Sequence, residues 1–512
     1  MFSDDSVESV SVPSLWKQSQ HSEQDSKSCQ TRQLHSADAE AQSVISSVSS
    51  TQTESKDKDE QTLYEPNPKE LEKPELKHFL DRVVESVIRE IVKNARSHAF
   101  DGFKVNWEDH NELVSCLHCL EHPSAKERDL HVTCVSWNCT GAVISCGFGR
   151  IDNGDWSTEK SFVCTWNLNR KGLSPTHADL VIEVPTAVTA LCCHPDQPAL
   201  IAGGLYSGEV VVWDTSRTQD TVLAQTGISA DSHREPIYKA HIYITINCVS
   251  WVPLQKKGVF GILSACSGGR ILLWNLDQSS LILSTGYALV LQQVPHSSSA
   301  GFKTRGSSNI GVTALARSIW DSDTFLVGSE GGLLLRCSFS SQKMAVVPSE
   351  GQSVTLRAPA VFSFRKHNGP IHSIHCSPFH RNLFVSAGTD GLVHIQSLLQ
   401  ANPVLSLRVS DSYIFQVQWS PSRPLVFAAA TSQGEVQIFD LGHESLRPAA
   451  TIEKGHCGQA ATCLAFNSQN THLLAVGKTD STVSIWQLSG DLTEQGPREI
   501  SQLDHIAGQV AE

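Results

Sequence analysis

One pattern recurs seven times between residues 112 and 490 of the chain. Each copy has an apolar strand that ends near Trp or Phe, a turn, a strand of small residues, a turn with Gly or Asp, and a third apolar strand. Repeats of roughly 40 residues with this layout are typical of propeller blades. The sequence therefore predicts an all-β fold, a seven-bladed WD-repeat β-propeller. The repeats cover 132–166, 188–214, 247–274, 312–337, 371–395, 415–440 and 462–486, each of the first six followed by residues for an outer strand.

The seventh repeat has no outer strand of its own, because the residues after Trp486 are polar and lack apolar alternation. We expect residues 491–512 to form a C-terminal tail. Leu113–Leu117 lies before the first repeat and alternates as a strand does. It is predicted to complete blade seven, which would close the ring and remove exposed sheet edges. Blades four and five depart most from the WD pattern, and blade four lacks the terminal Trp.

Two His–Asp pairs in the propeller have the residue types of a catalytic pair. His367 precedes Asp390 by 23 residues, and His456 precedes Asp480 by 24. In WD repeats, a His after Gly and an Asp in the turn between the second and third strands form hydrogen bonds within one blade. A spacing that repeats in two blades favours this structural role, so we predict no catalytic residue and no enzyme. The predicted structural residues of the blades are Trp166, Trp213, Trp274, His367, Asp390, His456, Asp480 and Trp486.

The sequence offers no persuasive metal or cofactor site. Cys116, Cys119 and His122 are ligand types for zinc, but no second Cys pair follows at zinc-ribbon spacing. The sequence contains no Walker loop, nucleophile elbow or dinucleotide fingerprint. Many of the fifteen cysteines lie in strand patterns, which favours reduced, buried thiols over a disulfide framework. We therefore expect no cofactor and no metal.

Charge and hydropathy argue against two classes of partner. The net charge is −13, and residues 1–75 hold fifteen acidic and seven basic residues. An acidic chain without a basic stripe is not expected to bind nucleic acid directly. Since no run of about 18 apolar residues occurs, we expect no membrane insertion. The first 30 residues are acidic and Ser-rich, which argues against a signal peptide.

Residues 1–74 are predicted to be a disordered arm that binds partners. Sixteen serines in the first 55 residues leave too little apolar surface to offset the entropy lost on folding. The arm contains two similar stretches 22 residues apart, and Gln61 marks a weaker third. An extended Thr-Gln-Thr core suits β-augmentation, in which the backbone pairs with a strand edge and alternate side chains enter pockets. The two stretches are Lys27-Ser28-Cys29-Gln30-Thr31 and Thr51-Gln52-Thr53.

Residues 75–97 are predicted to form one amphipathic helix, followed by a linker over 98–111. Apolar residues recur there at steps of three and four, with charged residues on the other face. The apolar stripe must be covered, and either the chain's own propeller or a partner groove would do this. We favour a partner, because the stripe lies between a disordered arm and a domain that closes without it. The stripe consists of Leu76, Phe79, Leu80, Val83, Val84, Val87, Ile88, Ile91 and Val92.

Several stretches are more specific than a general WD repeat. The segment from His194 to Asp214, the insertion 150–162, the start of blade five at His367 and the segment 97–107 resemble dynein intermediate chains. The stretch around Gln30 resembles the motif bound by the hub-type dynein light chain, a homodimer that holds two parallel peptides. Within the family, the resemblance points to the intermediate chains of dynein-2, the motor of retrograde intraflagellar transport. It covers residues 75–490 well and the arm more loosely.

The resemblance implies a non-catalytic subunit of that motor, active in cilium assembly. The propeller would bind the dynein-2 heavy chain, with the loops after Trp213 and Trp274 as candidate contacts. Hub-type light chains would bind at Gln30 and Gln52, a roadblock-type light chain would bind the helix, and a Tctex-type light chain would bind elsewhere in the arm. A second, longer intermediate chain is expected as a partner.

The expected locations are the cytoplasm, the cytoskeleton and the cilium, including the axoneme and the basal body or centrosome. Two alternatives stay open at this point. One is an axonemal dynein intermediate chain, and the other is a WD-repeat adaptor such as the substrate receptor of a ubiquitin ligase.

Overall fold

The computed structural model divides the chain into two compact units, Met1–Lys104 and Val105–Glu512. The residues that the structure describes are 74–96, 113–150, 159–217, 219–227, 231–233, 245–254, 256, 258–295, 309–346, 353–442, 447–452 and 459–509.

Helix α1 (Pro74–Arg96) is the described part of the first unit. The predicted helix is confirmed within one residue at each end. Proline suits the first turn, because its missing N–H would have no partner there in any case. The sequence keeps β-branched residues on one side and charged residues on the other, and Lys93 forms an exposed ion pair with Glu90 at 3.2 Å.

The second unit is the predicted seven-bladed propeller, built of seven four-stranded antiparallel sheets. In six blades the strands follow one another from the central channel to the rim. The chain opens this unit with β1 (Val114–Glu121) and a short helix α2 (Pro123–Glu127). Blade one is β2 (His131–Trp137), β3 (Val143–Gly149), β4 (Ser161–Asn167) and β5 (Leu180–Val184). Blade two is β6 (Val188–Cys193), β7 (Leu200–Leu205), β8 (Val210–Asp214) and β9 (Val222–Gln225).

The remaining blades repeat this plan, including the two that depart most from the sequence pattern. Blade three is β10 (Ile246–Pro253), β11 (Phe260–Cys266), β12 (Arg270–Asp277) and β13 (Ser280–Ala288), followed by a 3-10 turn at Leu291–Gln293. Blade four is β14 (Val312–Arg317), β15 (Thr324–Ser329), β16 (Leu334–Ser338) and β17 (Ala360–Ser363). Blade five is β18 (Ile371–Cys376), β19 (Leu383–Gly388), β20 (Leu392–Ser397) and β21 (Leu405–Arg408). Blade six is β22 (Ile414–Trp419), β23 (Val426–Thr431), β24 (Val436–Asp440) and β25 (Ala450–Ile452), and blade seven contributes β26 (Ala461–Phe466), β27 (Leu473–Lys478) and β28 (Thr482–Leu488).

The ring closes as predicted, by adding a strand from before blade one to blade seven. Strand β1 pairs antiparallel with β28, from Val114 opposite Leu488 to Glu121 opposite Thr482. The paired strand is longer than the predicted Leu113–Leu117. A second contact joins the two ends of the ring, since the indole N–H of Trp137 in blade one donates to the carbonyl of Ala465 at 2.9 Å.

Each innermost strand has a β-bulge near its start, and in five blades the side chain at the bulge donates a hydrogen bond to the next blade. Thr133 Oγ1 donates to the carbonyl of Val188 at 2.6 Å, and Asn247 Nδ2 donates to that of Val312 at 2.6 Å. Thr189, Thr313 and Thr462 occupy the equivalent positions and make the equivalent bond. These hydrogen bonds satisfy polar groups along the channel and hold neighbouring blades in register.

The C-terminal residues are not a structureless tail. Helices α3 (Gly490–Thr493) and α4 (Glu499–Gly508) follow blade seven. Leu503 and Ala507 of α4 are buried in the same cluster as Trp419 and Phe427 of blade six. The sequence pattern does not predict α4, because a packed face of Leu503, Ile506, Ala507 and a glutamate gives a weak helical signal.

None of the helices among the described residues is both long and apolar enough to cross a membrane.

Candidate partner-binding surfaces and buried histidine networks

The apolar face of α1 is the most exposed hydrophobic surface on any helix that the structure describes. Seven large apolar side chains of this one helix are between 41% and 59% exposed. Val83 is half-buried, and the side chain of Leu76 lies outside the described residues. The exposed members are Phe79, Leu80, Val84, Val87, Ile88, Ile91 and Val92.

These side chains form two adjacent ridges along the helix, each with steps of four residues. One ridge runs from Phe79 through Val87 to Ile91, and the other runs from Leu80 to Val92. Because a helix turns by about 100° per residue, a step of four residues moves a ridge around the axis by about 40°. The apolar face therefore winds around the helix, so a concave surface covers it more fully than a flat one.

The two Gln-centred stretches of the arm cannot be placed on the structure. Lys27 to Thr31 and Thr51 to Thr53 lie outside the described residues, as does Gln61. Their assignment as light-chain sites stays a prediction.

The His367–Asp390 pair has the structural geometry that the repeat spacing predicts. The Nδ1 of His367 lies 3.0 Å from a carboxylate oxygen of Asp390, and its Nε2 lies 2.9 Å from the hydroxyl of Ser386. Asp390 also accepts the backbone N–H groups of Asn368 and Leu392, each at 3.2 Å. Burial alone would raise the pKa of Asp390, but these hydrogen bonds and the nearby imidazole lower it to about 2. Both ring nitrogens of the buried His367 are therefore engaged within the blade.

His394 lies beside this network and gives it the composition of a metal site. Its ring centroid is 4.4 Å from that of His367, and the nearest ligand atoms of His367, Asp390 and His394 lie within 4.8 Å of one another. Burial, together with the neighbouring His367, lowers the pKa of His394 to about 4. A metal ion here would have to replace at least one hydrogen bond of His367, so the arrangement fits a structural network better than a metal site.

The second predicted pair is only half described. His456 lies outside the described residues, so its contact with Asp480 stays a prediction. Asp480 accepts the backbone N–H of Thr482 at 3.1 Å, which tightens the turn before β28. Trp486 in that strand is half-buried, whereas Trp166, Trp213 and Trp274 are buried in the blades, as core residues should be.

Blade three contains a histidine network that the sequence analysis missed. The Nε2 of His233 lies 2.8 Å from the hydroxyl of Ser264, which also accepts the indole N–H of Trp274 at 2.8 Å. Burial, reinforced by the nearby Arg270, lowers the pKa of His233 to about 3. His233 precedes its strand by more residues than His367 does, and Gly268 stands where blade five has Asp390. A search for the His–Asp spacing therefore passes over it.

Blades three and five thus each keep a different part of one network. In blade three, Ser264 pairs with Leu272 in the sheet, and Trp274 comes two residues after Leu272. In blade five, Ser386 pairs with His394, and Gln396 comes two residues after His394. Gln396 is fully buried, and neither of its amide atoms has a hydrogen-bond partner among the described residues. The substitution of Trp by Gln explains why blade five looks degenerate in sequence although its fold is regular.

All the described cysteines except Cys139 lie in strands. Thirteen cysteines lie in the described residues and all are free thiols. Burial raises the pKa of Cys134 and of Cys192 to about 12, so these thiols are not nucleophiles near neutral pH. Cys116 and Cys119 on β1 are exposed.

Known proteins resemble this chain over nearly its whole length. A family model described as the WD40 domain of dynein axonemal intermediate chain 3 matches residues 128–257 and 304–488. Cytoplasmic dynein 2 intermediate chain 2 of Mus musculus is 47% identical over 509 residues, and that of Homo sapiens is 47% identical over 512 residues. Each alignment covers 99% of this chain and 92% of the relative. The cytoplasmic dynein 1 intermediate chain of Drosophila melanogaster is 28% identical over 295 residues, which are 57% of this chain and 38% of that protein.

Proposed function

Because this chain belongs to the dynein intermediate chain family, we propose that it is a non-catalytic subunit of the dynein-2 motor. Its propeller binds the heavy-chain tail, and its N-terminal region holds light chains, in retrograde intraflagellar transport and cilium assembly. The observation that carries the proposal is the exposed apolar face of α1, next in sequence to a propeller that closes with its own strands. The expected locations are the cytoplasm, the cytoskeleton and the cilium.

The partner proposed for α1 is a roadblock-type light chain, which is a dimer. The winding of the apolar face supports a partner with a cleft, because a cleft between two subunits can contact both ridges. The opposite face carries both acidic and basic residues, so charge alone would not select a partner. Specificity would come from the shape of the apolar face.

The arm is proposed to bind hub-type light chains at Gln30 and Gln52 and a Tctex-type light chain elsewhere. Two sites 22 residues apart on one chain would let two dimeric light chains bind in series. Because each light chain is a bivalent dimer, the affinity for paired sites would rise through effective concentration, without new contacts. The heavy chain and a second, longer intermediate chain complete the proposed assembly.

An axonemal dynein intermediate chain is the second candidate, since the matching family model is described by an axonemal chain. The mouse and human dynein-2 relatives cover the arm and α1 as well as the propeller, which favours the transport motor.

The proposal is tested by co-purification of the full chain with candidate subunits. We expect the dynein-2 heavy-chain tail and the three light-chain types to be recovered with the chain. The double variant Gln30→Ala and Gln52→Ala should lose hub-type light chains while it keeps the heavy chain. Gln20→Ala with Gln42→Ala is the matched control, because both glutamines lie in the arm but outside the two stretches. Recovery of axonemal heavy chains in place of the dynein-2 chain would favour the second candidate, and recovery of neither would refute the proposal.

A further inference from the structure

The outer strand of blade three differs from the outer strands of its neighbours. Strand β13 has nine residues, whereas β5, β9, β17, β21 and β25 have five, four, four, four and three, and the closing strand β1 has eight. Its sequence, SLILSTGYA, contains no charged residue and no proline. Natural sheets protect edge strands by keeping them short or by placing charge or proline on them. Strand β13 uses none of these means.

Part of this edge is already covered by the chain itself. Arg357, from the connection between β16 and β17, forms a parallel bridge with Tyr287. Its N–H donates to the carbonyl of Gly286 at 3.0 Å, and its carbonyl accepts the N–H of Ala288 at 2.9 Å. Four residues before Arg357, the same connection contacts a different segment, since the N–H of Ser353 donates to a carboxylate oxygen of Asp231 at 2.6 Å. Within the described part of the chain, no strand pairs with the outer edge of β13 over Ser280–Thr285.

The uncovered part of the edge also exposes one large apolar side chain, and two more are exposed on the connection beside it. Ile282 is 52% exposed at the middle of the strand. Met344 and Val346, on the connection that covers the far end of the edge, are 64% and 59% exposed. Their neighbour Ala345 packs in the same cluster as Leu281 and Leu283, so these side chains lie on one part of the rim. Exposed apolar side chains thus lie on the part of the rim where β13 pairs with no further strand among the described residues.

We propose that the Ser280–Thr285 edge of β13 binds an extended, uncharged segment of another subunit by β-augmentation. The backbone of that segment would continue the sheet, and an apolar side chain would contact Ile282. The inference rests on the proposed function in one respect, namely that the partner is another subunit of the dynein assembly.

A second copy of this chain fits the edge less well. The free edge offers six residues, Ser280 to Thr285, whereas a standard protein interface has about 20–30 residues on each side. A short β-addition is sufficient when the partner is held at other points as well, because the remaining contacts supply effective concentration. A subunit that also binds elsewhere on this chain meets that condition.

The test compares backbone hydrogen exchange in the full chain alone and in the complex reconstituted with heavy-chain tail and light chains. We expect the outward-facing amides of residues 280–285 to exchange at least about tenfold more slowly in the complex. Ile282→Lys should abolish this slowing, since a lysine on an edge strand opposes further pairing. Ile319→Lys is the matched control, because Ile319 is 57% exposed on a loop of blade four and its change should leave the slowing intact.

Equal exchange in the chain alone and in an intact complex would refute the edge site and leave the proposed function standing. Slowing that grows with the concentration of the chain alone would mean that a second copy occupies the edge, which also overturns the proposal. Failure to form any complex would refute both the edge site and the proposed function. Ile282 is exposed, so its replacement should not unfold the blade, and a near-ultraviolet circular dichroism spectrum checks this.

Discussion

Helices α1 and α4 are both amphipathic, but among the described residues only α4 has its apolar face buried. In α4, Leu503 is fully buried against blade six, and Glu499 on the same face pairs with the guanidinium of Arg423. In α1, the apolar face is longer and richer in large side chains, yet seven of them are exposed. The stronger hydrophobic pattern therefore belongs to the helix whose apolar side chains are exposed in the described part of the chain. An apolar stripe in the sequence indicates a helix face that is buried against some other surface. Which surface buries it depends on shape and on polar contacts.

The polar contacts of α4 explain why it binds its own propeller. Arg423 follows β22, and its side chain is only 11% exposed. Its Nη2 lies 2.8 Å from a carboxylate oxygen of Asp440, and it also contacts Glu499 and the carbonyl of Asp491. Strand, loop and helix are thus joined by one buried guanidinium. No comparable buried ion pair involves α1 among the described residues, where Glu90 and Lys93 meet in solvent.

Loss of the Arg423 guanidinium should have the largest effect on stability. Arg423→Met keeps most of the side-chain volume but removes the guanidinium from the buried carboxylates of Asp440 and Glu499. We expect the free energy of unfolding to fall by about 3–5 kcal/mol, measured by urea denaturation. Arg408→Met is the control, because Arg408 forms its ion pair with Asp411 in solvent. A change below about 1 kcal/mol, which is the usual value of a surface pair, would show that α4 is not held by this network.

Removal of the apolar anchor of α4 should cost somewhat less. Leu503→Ala leaves a cavity against Trp419 and Phe427, and we expect a loss of about 2–5 kcal/mol, toward the lower end if the helix end relaxes. Thermal unfolding followed by circular dichroism measures this. Ile500→Ala is the matched control on the same helix, since Ile500 is 48% exposed. Equal effects of the two changes would contradict the buried face assigned to α4.

Acid should lower the free energy of unfolding of the propeller. It should not change the apolar face of α1, because that face carries no titratable group. The pKa of His233 is lowered to about 3 by burial and Arg270, while an unfolded histidine titrates near its ordinary value of 6.5. Between these values the unfolded chain binds more protons, so the stability contributed by neutral His233 is complete above pH 6.5 and is lost as pH falls toward 3. Denaturant titrations at several pH values should show a shallower dependence for His233→Gln. An unchanged slope would contradict the buried network of blade three.

The smallest effect on stability is expected in α1. Val84→Ala removes methyl groups from a side chain that is 46% exposed. The free energy of unfolding of the propeller should stay within about 0.5 kcal/mol of the original value, as for other surface changes. Urea denaturation monitored by tryptophan fluorescence checks this. A loss of 2 kcal/mol or more, typical of a core position, would show that the apolar face is covered within the chain.

The sequence predicts most of the ring, because blade repeats carry their own signals. The seven repeats, the closing strand before blade one and the His367–Asp390 contact follow from local patterns with fixed spacing. What sequence reasoning missed depends on long-range contacts. His233 reaches Ser264 across a variable connection, and Arg423 meets Glu499 from 76 positions away in the chain. The long edge of β13 was also missed, because a repeat pattern describes what blades share and not how one blade differs.

The central claim is that the apolar face of α1 binds a separate protein, and calorimetric titration of the full chain with a purified roadblock-type light chain tests it most directly. Ile91→Asp places a charge at the most exposed side chain of the apolar face, while Ser86→Asp adds the same charge to an exposed position outside it. The account predicts saturable binding by the unchanged chain and by Ser86→Asp, and at least about tenfold weaker binding by Ile91→Asp. Equal affinity of all three chains, or no binding by any of them, would contradict it.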